Sequence, residues 1–249
     1  MTRKLIGLFS VAVLLTVMAH CCTAASHLGR TGLDLNKTGL IPRYPAGLTC
    51  PTVTSFYASW DDVDGTKRDE PHSGIDAGGL GDWILAPGPG IVVATWRANW
   101  GWGREGAILI RHRREDLGLT DGPPFYYSEF DHLRYDEVKA LDEGKSISRG
   151  EPLGSVFRPG GRSRYLPEVH WEVWQVEDDD AIEWRRNKFG GRYWTNPTAR
   201  LVDPLYMLSL NTSASEDGSV DLPLFGRDKN YAGFRGFTYI FSCREADPE

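Results

Sequence analysis

Basic residues are in deficit in this chain of 249 residues: 28 Lys and Arg stand against 34 Asp and Glu, for a formal net charge of −6. Phosphate backbones are gripped by basic faces, so this balance excludes nucleic acid as the partner. Cysteine is scarce as well, with four residues, and only Cys50 and Cys243 stand clear of the amino-terminal segment. No third cysteine lies near either one, which excludes a thiolate metal site. Low-complexity tracts, internal repeats and heptad runs are absent, and no apolar periodicity is long enough for a large helix. The one extended apolar run, residues 5–19, falls short of the about 20 residues that span a bilayer.

That run follows Arg3 and Lys4 and leads into the small residues Thr23, Ala24 and Ala25. A basic end, a short apolar stretch and a small-residue cleavage site in that order make a secretory signal peptide over residues 1–25. The expectation is an exported protein, periplasmic or extracellular, with no transmembrane helix in the mature chain. Cys21 and Cys22 near the cleavage zone suggest lipid anchoring, but the preceding Met18-Ala19-His20 fits a lipoprotein signal poorly. Loss of Arg3 and Lys4 takes two positive charges from the chain and leaves about −8. In an oxidising compartment the two remaining cysteines, near opposite ends, suggest a disulfide that ties the tails together.

Aromatic residues make up 12% of the chain, with nine Trp, 28 Gly and 15 Pro. Together they favour short strands joined by tight turns, and so a mainly β fold. Residues 26–60, interrupted by Pro42, Pro45 and Pro51, read as a loop-like lead-in. Strands are expected at 91–96 after Ala86-Pro-Gly-Pro-Gly90, at 107–112 after Gly101-Trp-Gly103, and at 126–133, 152–157 and 169–176. Residues 136–141 suit one short helical stretch, and residues 178–200 read as polar and irregular. The reading is a single antiparallel, sandwich-like β domain with a groove over residues 61–209. A carboxy-terminal extension, 210–249, carries an aromatic patch that docks back near Cys243.

Three histidines sit beside acids, in His72-Ser-Gly-Ile-Asp76, Asp131-His132 and Glu168-Val-His170-Trp-Glu172. Imidazole and carboxylate are the ligands zinc takes without cysteine, and a catalytic zinc needs three protein ligands with one position left open. His72, Asp76 and His170 make such a set. On a strand, residues 168 and 170 share a face, which puts Glu168 beside the ligand His170. Spacing alone is a modest signal, because isolated histidines are more often structural.

The order of the surrounding motifs is more specific. The stretch 72–173 resembles the lysostaphin/LytM family of zinc endopeptidases: H-x-G-x-D at His72-Ser-Gly74-Ile-Asp76, the Ala-Pro-x-x-Gly-x-Val turn at Ala86-Pro87-Gly-Pro-Gly90-Ile-Val92, and G-x-G at Gly101-Trp-Gly103 before a strand ending in His112. Tyr-x-His-Leu is echoed by Phe130-Asp-His132-Leu133, a glycine-spaced run by Gly144, Gly150 and Gly154, and His-x-His-Phe-Glu-Val by Glu168-Val-His170-Trp171-Glu172-Val173. The resemblance covers roughly the middle half of the chain and implies a Zn2+ cofactor on His72, Asp76 and His170, with peptidoglycan as the substrate. It implies that His132 orients the attacking water or steadies the oxyanion.

One position departs from the family: Glu168 stands where the pattern has a second catalytic imidazole. A carboxylate there can serve as general base, but an anion near a developing oxyanion works against it. Two function classes therefore stand: a zinc endopeptidase cutting peptidoglycan stems or cross-bridges with His132 and Glu168 as catalytic residues, and a catalytically weak or inactive peptidoglycan-binding or regulatory module of the same fold. A zinc peptidase acting on free proteins or peptides is a further reading. His112 is expected to make hydrogen bonds at the cleft edge. Trp96, Trp100 and Trp102 read either as core or as flat surfaces for wall sugars. Asp34 or Asn36 in the lead-in could reach the metal's open position and block it.

Overall fold

The computed structural model describes residues 35–101, 103–158 and 168–246. The signal-peptide segment, Asp34 and Trp102 lie outside the described residues. Among those described, the fold is mainly β, built on an 8-stranded antiparallel sheet. In chain order its strands are β1 (Val53–Ser55), β2 (Ile75–Ala77), β3 (Gly90–Asn99), β4 (Arg104–Arg113), β5 (Phe125–Leu133), β6 (Ser146–Ile147), β7 (Val169–Val176) and β8 (Arg200–Val202). The spatial order is β1-β2-β7-β5-β4-β3-β6, with β8 also paired to β7.

The long strands form where β-branched and aromatic residues follow glycine turns. Between β3 and β4, Gly101 and Gly103 take φ of 114° and 142°, values that side chains with a Cβ avoid. Gly74 has a different reason: a Cβ there would lie 2.2 Å from the carbonyl oxygen of Trp171. Only glycine lets the chain entering β2 pass this close to β7.

Alternation along the strands divides the apolar residues between two cores. Ile108, Ile110, Phe130, Trp171 and Val173 face the first, and Ala107, Leu109, Tyr127 and Trp174 face the second. Phe130 and Trp171 stack with ring centroids 5.8 Å apart, a pairing worth about 0.5–1.5 kcal/mol beyond the buried area. Trp96 and Trp100 are buried in the second core with Trp194. Their place is therefore core, not a sugar-binding surface.

Residues expected to be irregular after Asp178 instead form an antiparallel hairpin, Glu183–Arg186 with Arg192–Thr195. Its outward residues are charged, which hid the pattern, while Trp194 points inward and donates Nε1–H to buried Glu129 at 2.7 Å. The lead-in is less loop-like than its prolines suggested, since it supplies β1. The domain closes with α1 (Pro204–Ser209), capped by Asp203, which accepts a hydrogen bond from the Leu205 amide at 2.9 Å.

The two ends of the described chain clasp each other. Ile41–Arg43 pairs in parallel with Ser219–Asp221, Leu48–Thr49 pairs with Arg244–Glu245, and Cys50 is bonded to Cys243. Leu35, Leu40 and Tyr44 pack against the first core, where Phe237, Tyr239, Ile240 and Phe241 of the carboxy-terminal extension are buried.

Candidate metal centre

Asp76 is flanked in β2 by Ile75 and Ala77, both in the first core, so its side chain takes the opposite face. His170, between Val169 and Trp171, takes that same face in β7. It stands opposite Asp76 on one side and Asp131 of β5 on the other. His72 arrives from the loop before β2, where its backbone N–H donates to the Ser59 carbonyl at 2.9 Å and its carbonyl accepts from the Ala58 amide at 2.8 Å.

His72 Nε2 lies 3.1 Å from Asp76 Oδ1 and 3.0 Å from His170 Nδ1, and the last two atoms are 2.8 Å apart. The outer hydrogen bonds fix what these atoms offer. His72 Nδ1–H donates to the Phe56 carbonyl at 3.0 Å, so Nε2 carries a lone pair. His170 Nε2 faces the carboxylate oxygen Oε1 of Glu172 at 3.2 Å, so in the neutral ring the proton sits there and Nδ1 turns a second lone pair inward. Glu172 is itself held by Ser73 Oγ at 2.5 Å and Trp174 Nε1 at 2.9 Å.

Two imidazole lone pairs and a carboxylate oxygen meeting at one point repel one another unless a cation joins them. Zinc ligands at about 2.0–2.2 Å in a tetrahedral array stand about 3.3 Å apart, close to the separations here. The donor set thus fits the ion, and His72, Asp76 and His170 are the residues that could hold it.

Metal-free, the cluster is held by protons instead. Burial favours a neutral His72 and lowers its pKa. Burial acts the same way on His170, but hydrogen bonds to Asp76 and Glu172 outweigh it and raise His170 well above the usual histidine value. Burial would lift Asp76, yet the neighbouring His72 and His170 hold it well below the usual carboxylate range. Its other oxygen, Oδ2, accepts from Arg68 at 3.2 Å, and the same Arg68 nitrogen reaches Asp62 at 3.0 Å and Ser55 Oγ at 3.2 Å.

His132 lies beside this cluster, its ring centroid 6.3 Å from that of His170. Regular alternation would turn it away, because Asp131 already faces His170. A bulge in the β4–β5 ladder between Gly106 and Ile108 and a left-handed backbone at His132 (φ 64°) re-aim it. Its Nδ1 is 2.7 Å from Oε1 of Glu105, a buried carboxylate on β4. Burial works against a charged ring, but the charge and hydrogen bond of Glu105, with Asp131 adding to them, raise His132 to about 9. Burial pushes Asp131 itself up to about 6.

Glu168 directly precedes β7 and is 9% exposed. Thr54 Oγ1 lies 3.2 Å from both its Oε2 and the Asp76 carbonyl oxygen, which keeps it at the cluster's side. Burial, with the nearby charge of Asp76, raises it to about 7.

All five residues singled out from sequence therefore gather at one end of the sheet. His112 does not. It is fully buried on the first-core side of β4, with Nδ1 2.7 Å from the Pro89 carbonyl, Nε2 3.0 Å from Ser128 Oγ and its ring against Phe237. It makes the expected hydrogen bonds, but not at the cleft edge. Asn36 follows Leu35, which with Leu40 packs against the first core. Sequence reading gave no role to Glu105 or Arg68. Glu105 left a trace, as a carboxylate just ahead of the apolar run Ala107–Ile110 of its strand; Arg68 left none, being one of many charges in its loop.

No family model matches the chain, and no curated protein matches it. Among solved structures it is similar to a zinc-containing peptidase from Vibrio cholerae (22% identity, TM-score 0.37, covering 55% of this chain and 37% of that one). It is similar also to lysostaphin (17%, 0.40, 74% and 60%) and to the catalytic domain of the prophage-encoded protein EnpA from Enterococcus faecalis (20%, 0.35, 64% and 95%). The chain thus spans just over a third of the length of the Vibrio protein.

Proposed function

We propose that the protein is an exported zinc-dependent endopeptidase that hydrolyses peptide bonds in peptidoglycan stems or cross-bridges. The observation that carries this reading is the convergence of His72 Nε2, Asp76 Oδ1 and His170 Nδ1 within 3.1 Å of one another, lone pairs inward. The ordered motifs from His72 to Val173 support the reaction class and supply the substrate class. The domain reading is a signal peptide, a lead-in and one catalytic domain, followed by an extension that braces its back.

Bound at these three atoms, zinc supplies a Lewis acid and lowers the pKa of water toward neutrality. The remaining work falls to the chain. Glu168 accepts a proton as water attacks the scissile carbonyl carbon, and returns it to the amine nitrogen as the C–N bond breaks. His132 donates Nε2–H to the carbonyl oxygen as negative charge develops on it. Glu172 and the Phe56 carbonyl hold the two ligand imidazoles in the tautomers the metal needs.

Glu168 favours a second reading, a module that keeps its zinc and binds peptidoglycan without cutting it. Zinc content of the mature protein, measured with muropeptide release from purified peptidoglycan for wild type, His170→Ala and Glu168→Gln, decides between them. Hydrolysis lost in both variants, with zinc lost only in His170→Ala, is the expected result. Stoichiometric zinc without release from the wild type would sink the hydrolase.

A further inference from the structure

We propose that Glu105 is a positioning residue for the reaction: by engaging His132 Nδ1 it fixes the ring and turns its other edge toward the His72–Asp76–His170 cluster. The inference rests on the hydrolase reading for its kinetic part only. Three observations carry it. Glu105 has no solvent access along its side chain, while His132 keeps 16% of its own. A carboxylate buried to that degree is costly unless an opposite charge answers it, and His132 Nδ1 at 2.7 Å does so. With Nδ1 turned to Glu105, the ring lies edge-on beside His170, centroids 6.3 Å apart.

The backbone shows the same arrangement from the other direction. A bulge and a left-handed residue are devices that re-aim a side chain at some cost. Here they turn His132 out of strand alternation and into line with Glu105, while the His132 carbonyl accepts from the Phe157 amide at 2.8 Å and pins the turn. A histidine held by a buried carboxylate at one nitrogen and working through the other is the arrangement by which acid–histidine pairs fix tautomer and orientation.

The chemistry of this site makes the pair matter more than it would beside two imidazoles. Glu168 brings a carboxylate to the other flank, and Arg68 is committed to Asp76, Asp62 and Ser55. Beside Glu168, His132 supplies the imidazole of this site, and its orientation depends on Glu105.

The test uses the mature, zinc-loaded protein labelled with 15N at histidine, with Glu105→Gln as the variant. In wild type at pH 7 the Nδ1 of His132 is expected to carry a proton that faces the Glu105 carboxylate. In Glu105→Gln the Nδ1 signals are expected to shift as the carboxylate contact is lost, zinc to stay stoichiometric, and kcat to fall at least tenfold with KM within about twofold. An unprotonated Nδ1 in the wild-type spectrum would overturn the proposal without any variant. Unchanged His132 signals or unchanged kcat in Glu105→Gln would overturn it too. Expected spectra in a wild type that hydrolyses nothing would uphold the Glu105–His132 assignment and reject the hydrolase reading.

Discussion

Asp76 Oδ1 and His170 Nδ1 face each other at 2.8 Å across the β2–β7 ladder, with Glu172 on the far nitrogen of the same imidazole. Between two carboxylates the metal-free ring binds a proton tightly, and His170 is accordingly held well above the usual histidine value.

A metal must displace that proton, so zinc binding is expected to release one from Nδ1. His170 is held above the ordinary histidine range, so at two pH values on the acid side of its metal-free pKa affinity should fall about tenfold for each pH unit lost. Competition against a chelator at the two pH values checks the slope. Calorimetry in buffers of different ionisation enthalpy counts the proton. A flat affinity over that range would mean that Asp76 and His170 are not joint ligands.

Arg68 fixes the other oxygen of Asp76 from a loop, leaving Oδ1 as the atom aimed at the cluster. Partners of this kind hold a ligand's orientation, and their loss commonly costs about 10- to 100-fold in metal affinity. Arg68→Ala is expected to weaken zinc binding within that range while the sheet stays intact. Chelator competition and circular dichroism measure the two separately. Wild-type affinity in the variant would reduce the Arg68–Asp76 contact to a surface ion pair.

How far the sequence revealed this site follows from how its parts are spaced. The candidate ligands were legible because each lies in a short local pattern, His72 with Asp76 four residues on, and His170 in an alternating strand with Glu168 two before it. Gly74 was legible as part of a motif, but its reason was not, since only the Trp171 carbonyl across the ladder shows why a Cβ is excluded. Glu105 was hidden because its partnership with His132 depends on a bulge, which shifts register without leaving a pattern in the residues. His112 was misplaced for a related reason: it ends a strand in the right motif, but strand parity sends it to the opposite face. The hairpin after Asp178 escaped notice because its few inward aromatics, Trp184, Tyr193 and Trp194, stand among charged residues.

His112 gives the fold a pH dependence independent of the metal. Burial lowers its pKa to about 4, against 6.5 for an ordinary histidine, so the native ring stays neutral over a range where the unfolded chain takes up a proton. Its contribution is fully present above about pH 6.5 and is lost as pH falls through about 4, amounting to about 3 kcal/mol. Urea unfolding of the chelator-treated protein at steps from pH 7 to pH 4 should show this slope. His112→Asn, less stable at neutral pH, should lack that part of it. Parallel slopes in the two proteins would contradict a neutral, buried His112.

The clasp at the back of the sheet separates stability from metal binding. Cys50 and Cys243 close a loop across a sequence separation of 193 residues and bring the lead-in against the carboxy-terminal extension. A native cross-link of this kind commonly contributes about 2–5 kcal/mol, mainly by restricting the unfolded chain. Leu35, Leu40 and Tyr44 beside it pack on the first core, whereas His170 and Asp76 point from the other face of the sheet. The double variant Cys50→Ala, Cys243→Ala is therefore expected to unfold at lower urea, by an amount in that range, and to bind zinc with wild-type affinity. Zinc affinity that fell together with stability would show that the clasp holds the β2–β7 ladder in register, and the two faces of the sheet would then have to be treated as one coupled unit.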